Sequence, residues 1–350
     1  MTGIRVDVSS DTASEPTDAM RRAMDRASLG IRSSKQLVAK LEETGAELLG
    51  KESALLMPTG TQANLCAIMA HIEPAREVLL GADSHIYEQE GGGVAAICGG
   101  LVRTWSPQGI PTVGDLEEVT DPSYRFPSQA TPAPALICFE NSHNASGGQI
   151  ADPETMAALC RTARQTVPAI HLDGARIFNA AAACSAAPSQ LADPVDSLSI
   201  SLDKGLSAPI GALLIGSRAF IEQATGYRRM LGGYIRKAES LAAAGLIALG
   251  EMIPRIGDDN RRAARIGGRL ANLPGIRVDP YPVPSNLIMI NLKDLGVGPQ
   301  YFVDRLEKDS GVATHVYGRN LVRLAIHRQV HAAEEDLIIS AITELVGQLR

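Results

Sequence analysis

The middle of the chain alternates short, wholly apolar runs with segments of helical period. Apolar runs fall at Ser53–Met57, Val78–Gly81, Ala135–Phe139, Ala169–Leu172, Ser197–Leu202 and Gly211–Ile215. Each is short, and set between helical stretches each predicts a strand buried on both faces. Helices are predicted between them over Thr61–His71, Pro153–Thr166 and Pro188–Leu191. Strands alternating with helices imply an α/β fold with a mainly parallel central sheet sandwiched by helices.

After about Arg236 the pattern changes. Ala/Leu-rich Lys237–Met252 and then Asp259–Ala271 read as helices, followed by Pro274-Gly275, a strand at Ser285–Asn291, a helix at Gln300–Ser310, a strand at Val322–Ile326 and a last helix from Ala332. This predicts a large α/β domain over 1–240, N-terminal segment included, and a smaller α+β domain over 241–350. A length of 350 residues allows two or three such units.

Composition narrows the function. The chain is 45% hydrophobic and 21% charged, with mean hydropathy +0.02 and net charge −6. An acidic chain lacks the basic footprint that nucleic acid or an anionic membrane requires. No apolar stretch reaches the ~18 residues that predict a membrane span, and MTGIRVDVSSDT lacks the apolar core of a secretory signal. The five cysteines are scattered and never spaced as CxxC, which argues against disulfides and a zinc–thiolate site. A cytoplasmic enzyme acting on a small molecule is the expectation.

Four constellations carry chemistry. In Pro58-Thr59-Gly60-Thr61-Gln62-Ala63-Asn64 a strand runs through small polar residues into a helix, so free N–H groups and the positive dipole end form either a phosphate cradle or a plain N-cap. In Ser84-His85-Ile86-Tyr87-Glu88 a histidine follows a strand, where ligands bind in open α/β sheets; a hydrogen-bonded loop histidine is the alternative. In His171-Leu172-Asp173-Gly174-Ala175-Arg176 a carboxylate ends an apolar strand and needs a cation, either a pyridinium nitrogen or Arg176. In Ser199–Pro209 Lys204 closes a strand, either solvated or held for nucleophilic work. Asp173 and Lys204 are separated by roughly one βαβ unit, ~30 residues, so both side chains can face one cleft.

The order of cradle, flat residue, carboxylate and lysine suits pyridoxal 5′-phosphate (PLP). Its phosphate needs a helix N-terminus, its ring a stacking group, its pyridine nitrogen a carboxylate and its aldehyde a lysine. His85, His143 and His171 sit on separate strand ends without short ligand spacing, and no metal site is expected from them.

Nearly the whole chain resembles the threonine aldolase family, within the fold type I, β-eliminating-lyase group of PLP enzymes. The resemblance rests on Ser10-Asp11-Thr12, Pro16-Thr17-Asp18-Ala19-Met20, Pro58-Thr59-Gly60-Thr61 and His85-Ile86-Tyr87-Glu88. It continues through Glu140-Asn141-Ser142-His143-Asn144 with Gly147-Gly148, His171–Arg176, Lys204-Gly205-Leu206, Met230-Leu231-Gly232-Gly233 and Val322-Arg323-Leu324. It implies a fold type I PLP-dependent transferase-like architecture and retro-aldol cleavage of a β-hydroxy-α-amino acid, such as L-threonine or L-allo-threonine, to glycine and an aldehyde. Catalytic roles would fall to Lys204 as the Schiff-base lysine, Asp173 at the pyridine nitrogen, His85 on the ring face and His143 near the substrate β-hydroxyl. Thr59, Gly60 and Thr61 would hold the phosphate, with Arg176 near the ring's 3′ oxygen. Ser10 and Arg323 would grip the substrate carboxylate, with Tyr87 beside them. Arg236 would reach a neighbour's phosphate in a homodimer or homotetramer with shared sites.

Two departures leave room for β-elimination, transaldol or racemisation chemistry, or for a non-catalytic PLP-binding homologue. Ser28–Lys35 replaces the acidic, tyrosine-containing loop usual in the family, bringing Arg32 and Lys35, and Asp203 replaces the usual serine before the lysine.

Overall fold

A computed structural model of the protein describes residues 3–27, 31–106, 109–121 and 132–350, with the side chains of 31–34 left undescribed. Ser28-Leu29-Gly30 of the unusual loop, and the Arg32 side chain, therefore lie outside the described residues. Lys35 lies in the helix that follows.

The chain opens with β1 (Val6–Asp7), α1 (Asp18–Arg26) and α2 (Ile31–Leu48). The βα run follows: β2 (Ser53–Met57), α3 (Gly60–His71), β3 (Glu77–Gly81), α4 (His85–Glu88), α5 (Gly93–Ala96), β4 (Leu101–Trp105), α6 (Val113–Thr120), β5 (Pro134–Glu140), α7 (Pro153–Ala163), β6 (Ala169–Asp173), α8 (Ile177–Cys184), α9 (Pro188–Ala192), β7 (Ser197–Ser201) and β8 (Ala212–Gly216). Then come α10 (Arg218–Met230), α11 (Glu239–Ile247) and α12 (Gly257–Leu270). The C-terminal part holds β9 (Arg277–Val278), β10 (Leu287–Asn291), α13 (Pro299–Ser310), β11 (Val312–Ala313), β12 (His315–Gly318), β13 (Leu321–Ala325) and α14 (Ala332–Leu349).

The large sheet has seven strands in the order β2-β8-β7-β6-β5-β3-β4. Only β8 runs against its neighbours. The other pairings are parallel. Every residue of β3, β6, β7 and β8 is buried, as continuous apolar strands between two helical layers require. The smaller sheet is antiparallel, in the order β12-β13-β10-β9. An α/β fold with a smaller α+β C-terminal unit is therefore present.

Three differences from the sequence reading have physical causes. β4 escaped it because Leu101-Val102-Arg103-Thr104-Trp105 sits at the sheet edge, exposed or half-buried until Trp105. The helix expected over Lys237–Met252 is split, since α11 gives way at Ala248 to a wider π turn, and a 3₁₀ turn at Ile253 follows. The division at residue 240 also differs. The core under the large sheet extends to Ile256, whereas Val6 and Val8 pack with Ile266, Leu270 and Ile338 in the second core. The N-terminal strand reaches that core by pairing parallel with β11, Val6 opposite Val312.

Past β1, Asp11 is wholly buried between the two cores. Its carboxylate accepts Arg176 Nε at 2.7 Å and Nη2 at 2.8 Å from the large unit, and Asn286 Nδ2 at 3.2 Å from the small one. Removing one partner of such a pair strands a buried charge. Asp11→Asn should lose roughly 3–5 kcal/mol in urea unfolding. Arg277→Ala, which breaks an exposed pair with Asp294, should lose no more than about 1 kcal/mol.

Candidate active site

Six strands of the large sheet point the same way, so their C-terminal ends share one edge, and the chemistry-bearing residues follow those ends. β2 leads through Pro58-Thr59 into α3. Thr59 is its N-cap, in extended conformation, with Oγ1 accepting Gln62 N–H at 3.1 Å. The N–H groups of Gly60 and Thr61, first in the helix, have no intrahelical acceptor. β3 leads to His85, β5 to His143, β6 ends on Asp173, and β7 leads to Lys204.

A cavity of ≈ 170 Å³ gathers Thr12, Gly60, Thr61, Asn64, His85, Glu90, Asp173, Ala175, Ser201, Asp203 and Lys204. A Cβ built on Gly60 would stand 3.5 Å from Ser201 Oγ, so the cradle is narrow but not closed. Five of the twelve expected site residues, Gly60, Thr61, His85, Asp173 and Lys204, thus share one cleft.

The electrostatics separate its members. Burial, reinforced by the nearby Arg176 charge, pushes the Lys204 ammonium below the usual lysine range, against Asp173, Asp11 and Asp203. Lys204 Nζ has no hydrogen bond or ion pair among the described residues, while its carbonyl accepts Ser14 Oγ at 2.9 Å. Burial works to raise Asp173, but His85, Lys204, the Ala175 N–H and the Asn64 amide hold it below the usual carboxylate range. Burial pushes neighbouring Glu90 up. For His85, burial is outweighed by the Glu90 hydrogen bond at 3.0 Å and by Asp173, so its imidazole is raised. Asp203 is also raised by burial.

The sequence left open whether Arg176 is the partner of Asp173. It is not, because its guanidinium is committed to Asp11, with Nη1 3.4 Å from Asn144 Oδ1. Asp173 hydrogen-bonds instead to Ala175 N–H at 3.1 Å and Asn64 Nδ2 at 3.0 Å. Arg323 donates to Asn144 Oδ1 at 2.9 Å and to Ser9 O at 3.0 Å, and its buried Nε has no partner. Ser10 precedes the single turn Asp11–Ala13, its Oγ accepting Thr12 N–H at 3.2 Å. Arg323 and Asp11 thereby fix this segment from both sides.

Of the seven expected residues that do not line this cavity, Ser10, Thr59, Arg176 and Arg323 have the partners given above, and His143, Tyr87 and Arg236 lie elsewhere. His143 is buried, with Nδ1 3.1 Å from Ser146 Oγ and Nε2 3.6 Å from Asp83 Oδ1. It faces a separate, narrow cavity with Ser84 and Trp105. Tyr87 is exposed. Arg236 lines a cavity of ≈ 260 Å³ with Lys35, Arg228 and Tyr234.

Sequence reasoning missed the roles of Asn64, Glu90 and Asp11. The available signal was polar residues at buried positions, above all Asn64 one turn after Gly60 inside an apolar helix. His85, Glu90 and Asp173 bring one ligand atom each within 4.8 Å of one another, as a metal site would. The Asn64 amide, however, donates to both carboxylates (Glu90 Oε1 at 2.8 Å), placing N–H groups where a cation would sit.

The cleft fits PLP on its own geometry: a helix N-terminus for the phosphate, an unpaired lysine, and a charged strand-end carboxylate with no basic side-chain partner except the flat imidazole nearby.

Residues 7–293 match the Beta-eliminating lyase family. The low-specificity L-threonine aldolase 1 of Arabidopsis thaliana is 34% identical over 347 residues, spanning 97% of this chain and 96% of its own. The low specificity L-threonine aldolase of Escherichia coli strain K12 is 36% identical over 273 residues, spanning 76% and 79%. Among solved structures, the threonine aldolase of Leishmania major superposes with a TM-score of 0.80 at 20% identity, covering 97% of this chain and 99% of that one. The strand-end lysine and aspartate and the N-terminus of α3 stand within the matched span, and the chain belongs to the β-eliminating lyase family.

Proposed function

We propose that the protein is a PLP-dependent aldehyde-lyase that cleaves β-hydroxy-α-amino acids, L-threonine or L-allo-threonine among them, to glycine and an aldehyde. The observation that carries this reading is the pairing of an unengaged, down-shifted Lys204 with a charged Asp173 that has no arginine partner. Relatives named low-specificity L-threonine aldolases over nearly the full chain support the substrate class. When bound, the cofactor supplies an electron sink that makes the Cα–Cβ bond labile.

The chain's own residues do the rest. Gly60 and Thr61 present free N–H groups to the phosphate, and Thr59 fixes the helix start. Lys204, its ammonium pushed below the usual lysine range by burial, would be the nucleophile toward the cofactor aldehyde. Asp173 would hold a proton on the pyridine nitrogen, and His85 would cover the ring. Arg323 with Ser10 binds the substrate carboxylate, for which a guanidinium offers a planar fork. Arg176, anchored by Asp11, would serve the 3′ oxygen.

The substrate β-hydroxyl loses a proton as the Cα–Cβ bond breaks, and a proton delivered to Cα completes glycine. His85, which lines the cleft, and His143, from the separate cavity it faces, are the candidate bases, such help being worth about 10²–10⁴-fold. Tyr87 is assigned to the outer rim of the substrate site.

Arg236 belongs to a different cavity from Lys204 in its own chain. Met230 and Tyr234 beside it are exposed. We therefore assign it to a neighbour's phosphate, in a homodimer or homotetramer with shared sites. Among the described residues no single helix is long and apolar enough to cross a membrane, and we place the enzyme in the cytoplasm.

Purified protein loaded with PLP should release glycine and aldehyde from L-threonine, L-allo-threonine or L-phenylserine. Pyruvate and ammonia would move the assignment to β-elimination. Lys204→Ala should abolish the visible absorbance of bound cofactor along with activity, and an unchanged spectrum would refute its role. Arg323→Leu should keep that absorbance but lose about a hundredfold or more in kcat/KM, the cost of unpairing a buried carboxylate; an undiminished kcat/KM would remove Arg323 from the substrate site.

A further inference from the structure

Behind the cleft, a line of buried and half-buried polar side chains runs between α3 and strands β6 and β7. His71 Nε2 lies 2.7 Å from Ser197 Oγ, and the same hydroxyl lies 2.9 Å from His171 Nδ1. His171 Nε2 lies 3.1 Å from Asn64 Oδ1, which also accepts Ser199 Oγ–H at 2.8 Å. At its other end Asn64 Nδ2 donates to Glu90 Oε1 at 2.8 Å and to Asp173 Oδ2 at 3.0 Å. His171 and Ser197 are wholly buried, and Asn64 nearly so. None of these atoms is orphaned.

The donors and acceptors admit one assignment. Two carboxylates face one end of the Asn64 amide, so that end must be the NH₂ group. Its oxygen then meets two donors, Ser199 Oγ–H and His171 Nε2–H. His171 must therefore carry its proton on Nε2, which leaves Nδ1 to accept. The single Ser197 proton satisfies Nδ1, and Ser197 in turn accepts from His71 Nε2–H. Burial keeps both imidazoles neutral, with His171 pushed down to about 3 and His71 down to about 4. Each ring thus has one proton to give, and each points it toward the carboxylates.

We infer that His171 and Ser197 are positioning residues that lock the Asn64 amide with its donors on Asp173 and Glu90, and so set the charge state of the carboxylate that faces the cofactor ring. The inference rests on the reading of Asp173 as the partner of the pyridine nitrogen. Neither His171 nor Ser197 touches the cleft; both act through Asn64. Asn64 links the two sides of the site, because Glu90 Oε1 also receives His85 Nδ1. The amide that steadies the carboxylate assigned to the pyridine nitrogen therefore also steadies the imidazole assigned to the ring face. The groups acting on Asp173 are then His85 and Lys204 as charges, Ala175 N–H and Asn64 Nδ2 as hydrogen bonds, and Glu90 as the competing carboxylate. With the His171 donor gone, Ser199 Oγ–H alone holds the amide oxygen, and the hydrogen bond that Asn64 gives Asp173 is fixed less firmly in a low-dielectric site.

The test uses cofactor-free protein labelled at the aspartate carboxyl carbon, with the Asp173 signal assigned through Asp173→Asn. His171→Phe keeps a ring but removes both polar atoms; the Asp173 titration midpoint should rise by about one pH unit, and PLP affinity should fall about tenfold. Ser197→Ala, two side chains from the carboxylate, should shift the midpoint in the same direction by less. His171→Gln, which retains an N–H for Asn64 Oδ1, should bring it back toward the wild-type value. An unmoved midpoint in Ser197→Ala and in folded His171→Phe, judged by circular dichroism and Tm, overturns the inference. If His171→Phe does not fold, Ser197→Ala and His171→Gln decide it. A wild-type protein that holds Asp173 low yet binds no PLP would sink the proposed function and leave the positioning role standing.

Discussion

The buried ion pair between Asp11 and Arg176 organises much of what surrounds it. Moving two charges out of water is costly, and the cost is met here only because the pair is bidentate and a third donor, Asn286, completes it. Its partners come from three places far apart in the sequence: the N-terminal segment, the end of β6, and the loop before β10. Satisfying one carboxylate therefore pins the N-terminal segment across the junction of the two cores. It also takes Arg176 away from Asp173, three residues before it, whose position at the strand end makes it the obvious partner.

That division of labour explains why two carboxylates and one lysine in a single cleft behave differently. Asp173 is held charged by two hydrogen bonds and two neighbouring bases, while Glu90, sharing the same amide, is pushed the other way by burial. Neighbouring titratable groups driven apart are the usual signature of assigned acid and base roles. The separation has a structural origin in Asn64. Its NH₂ group must serve both carboxylates, but only Asp173 adds a backbone N–H, from Ala175.

Much of this was legible in the sequence because parallel strands put their functional residues at predictable places. An apolar run followed directly by a lysine, an aspartate or a small polar turn locates a strand's C-terminal end, and such ends share an edge. Edge and long-range features were not legible. β4 carries Arg103, paired with Glu77 at 2.8 Å, so its pattern lacks the apolar continuity that marked the inner strands. The pairing of Val6 with Val312 joins the two ends of the chain, and no local pattern encodes it. The Asn64 relay was hidden for a third reason: hydrogen-bond direction depends on partners from α3, β6 and β7 that only the folded sheet brings together.

Arg176 and Arg323 look equivalent in the sequence, each an arginine in or just past a strand, yet the structure gives them opposite standing. Arg176 spends its charge on Asp11. Arg323 makes its hydrogen bonds to the amide oxygen of Asn144 and the carbonyl of Ser9, both neutral, and leaves Nε unpartnered in a buried position. Neutral acceptors orient a guanidinium without cancelling its charge. Both arginines touch Asn144 Oδ1, so that one amide oxygen bridges a neutralised cation and an available one. Burial and the neighbouring Arg176 charge already press Arg323 below the usual arginine range. An incoming carboxylate would relieve that penalty as well as supply the missing acceptor. Under the proposed function, a substrate carboxylate at this point would therefore meet electrostatics that the protein leaves unmet.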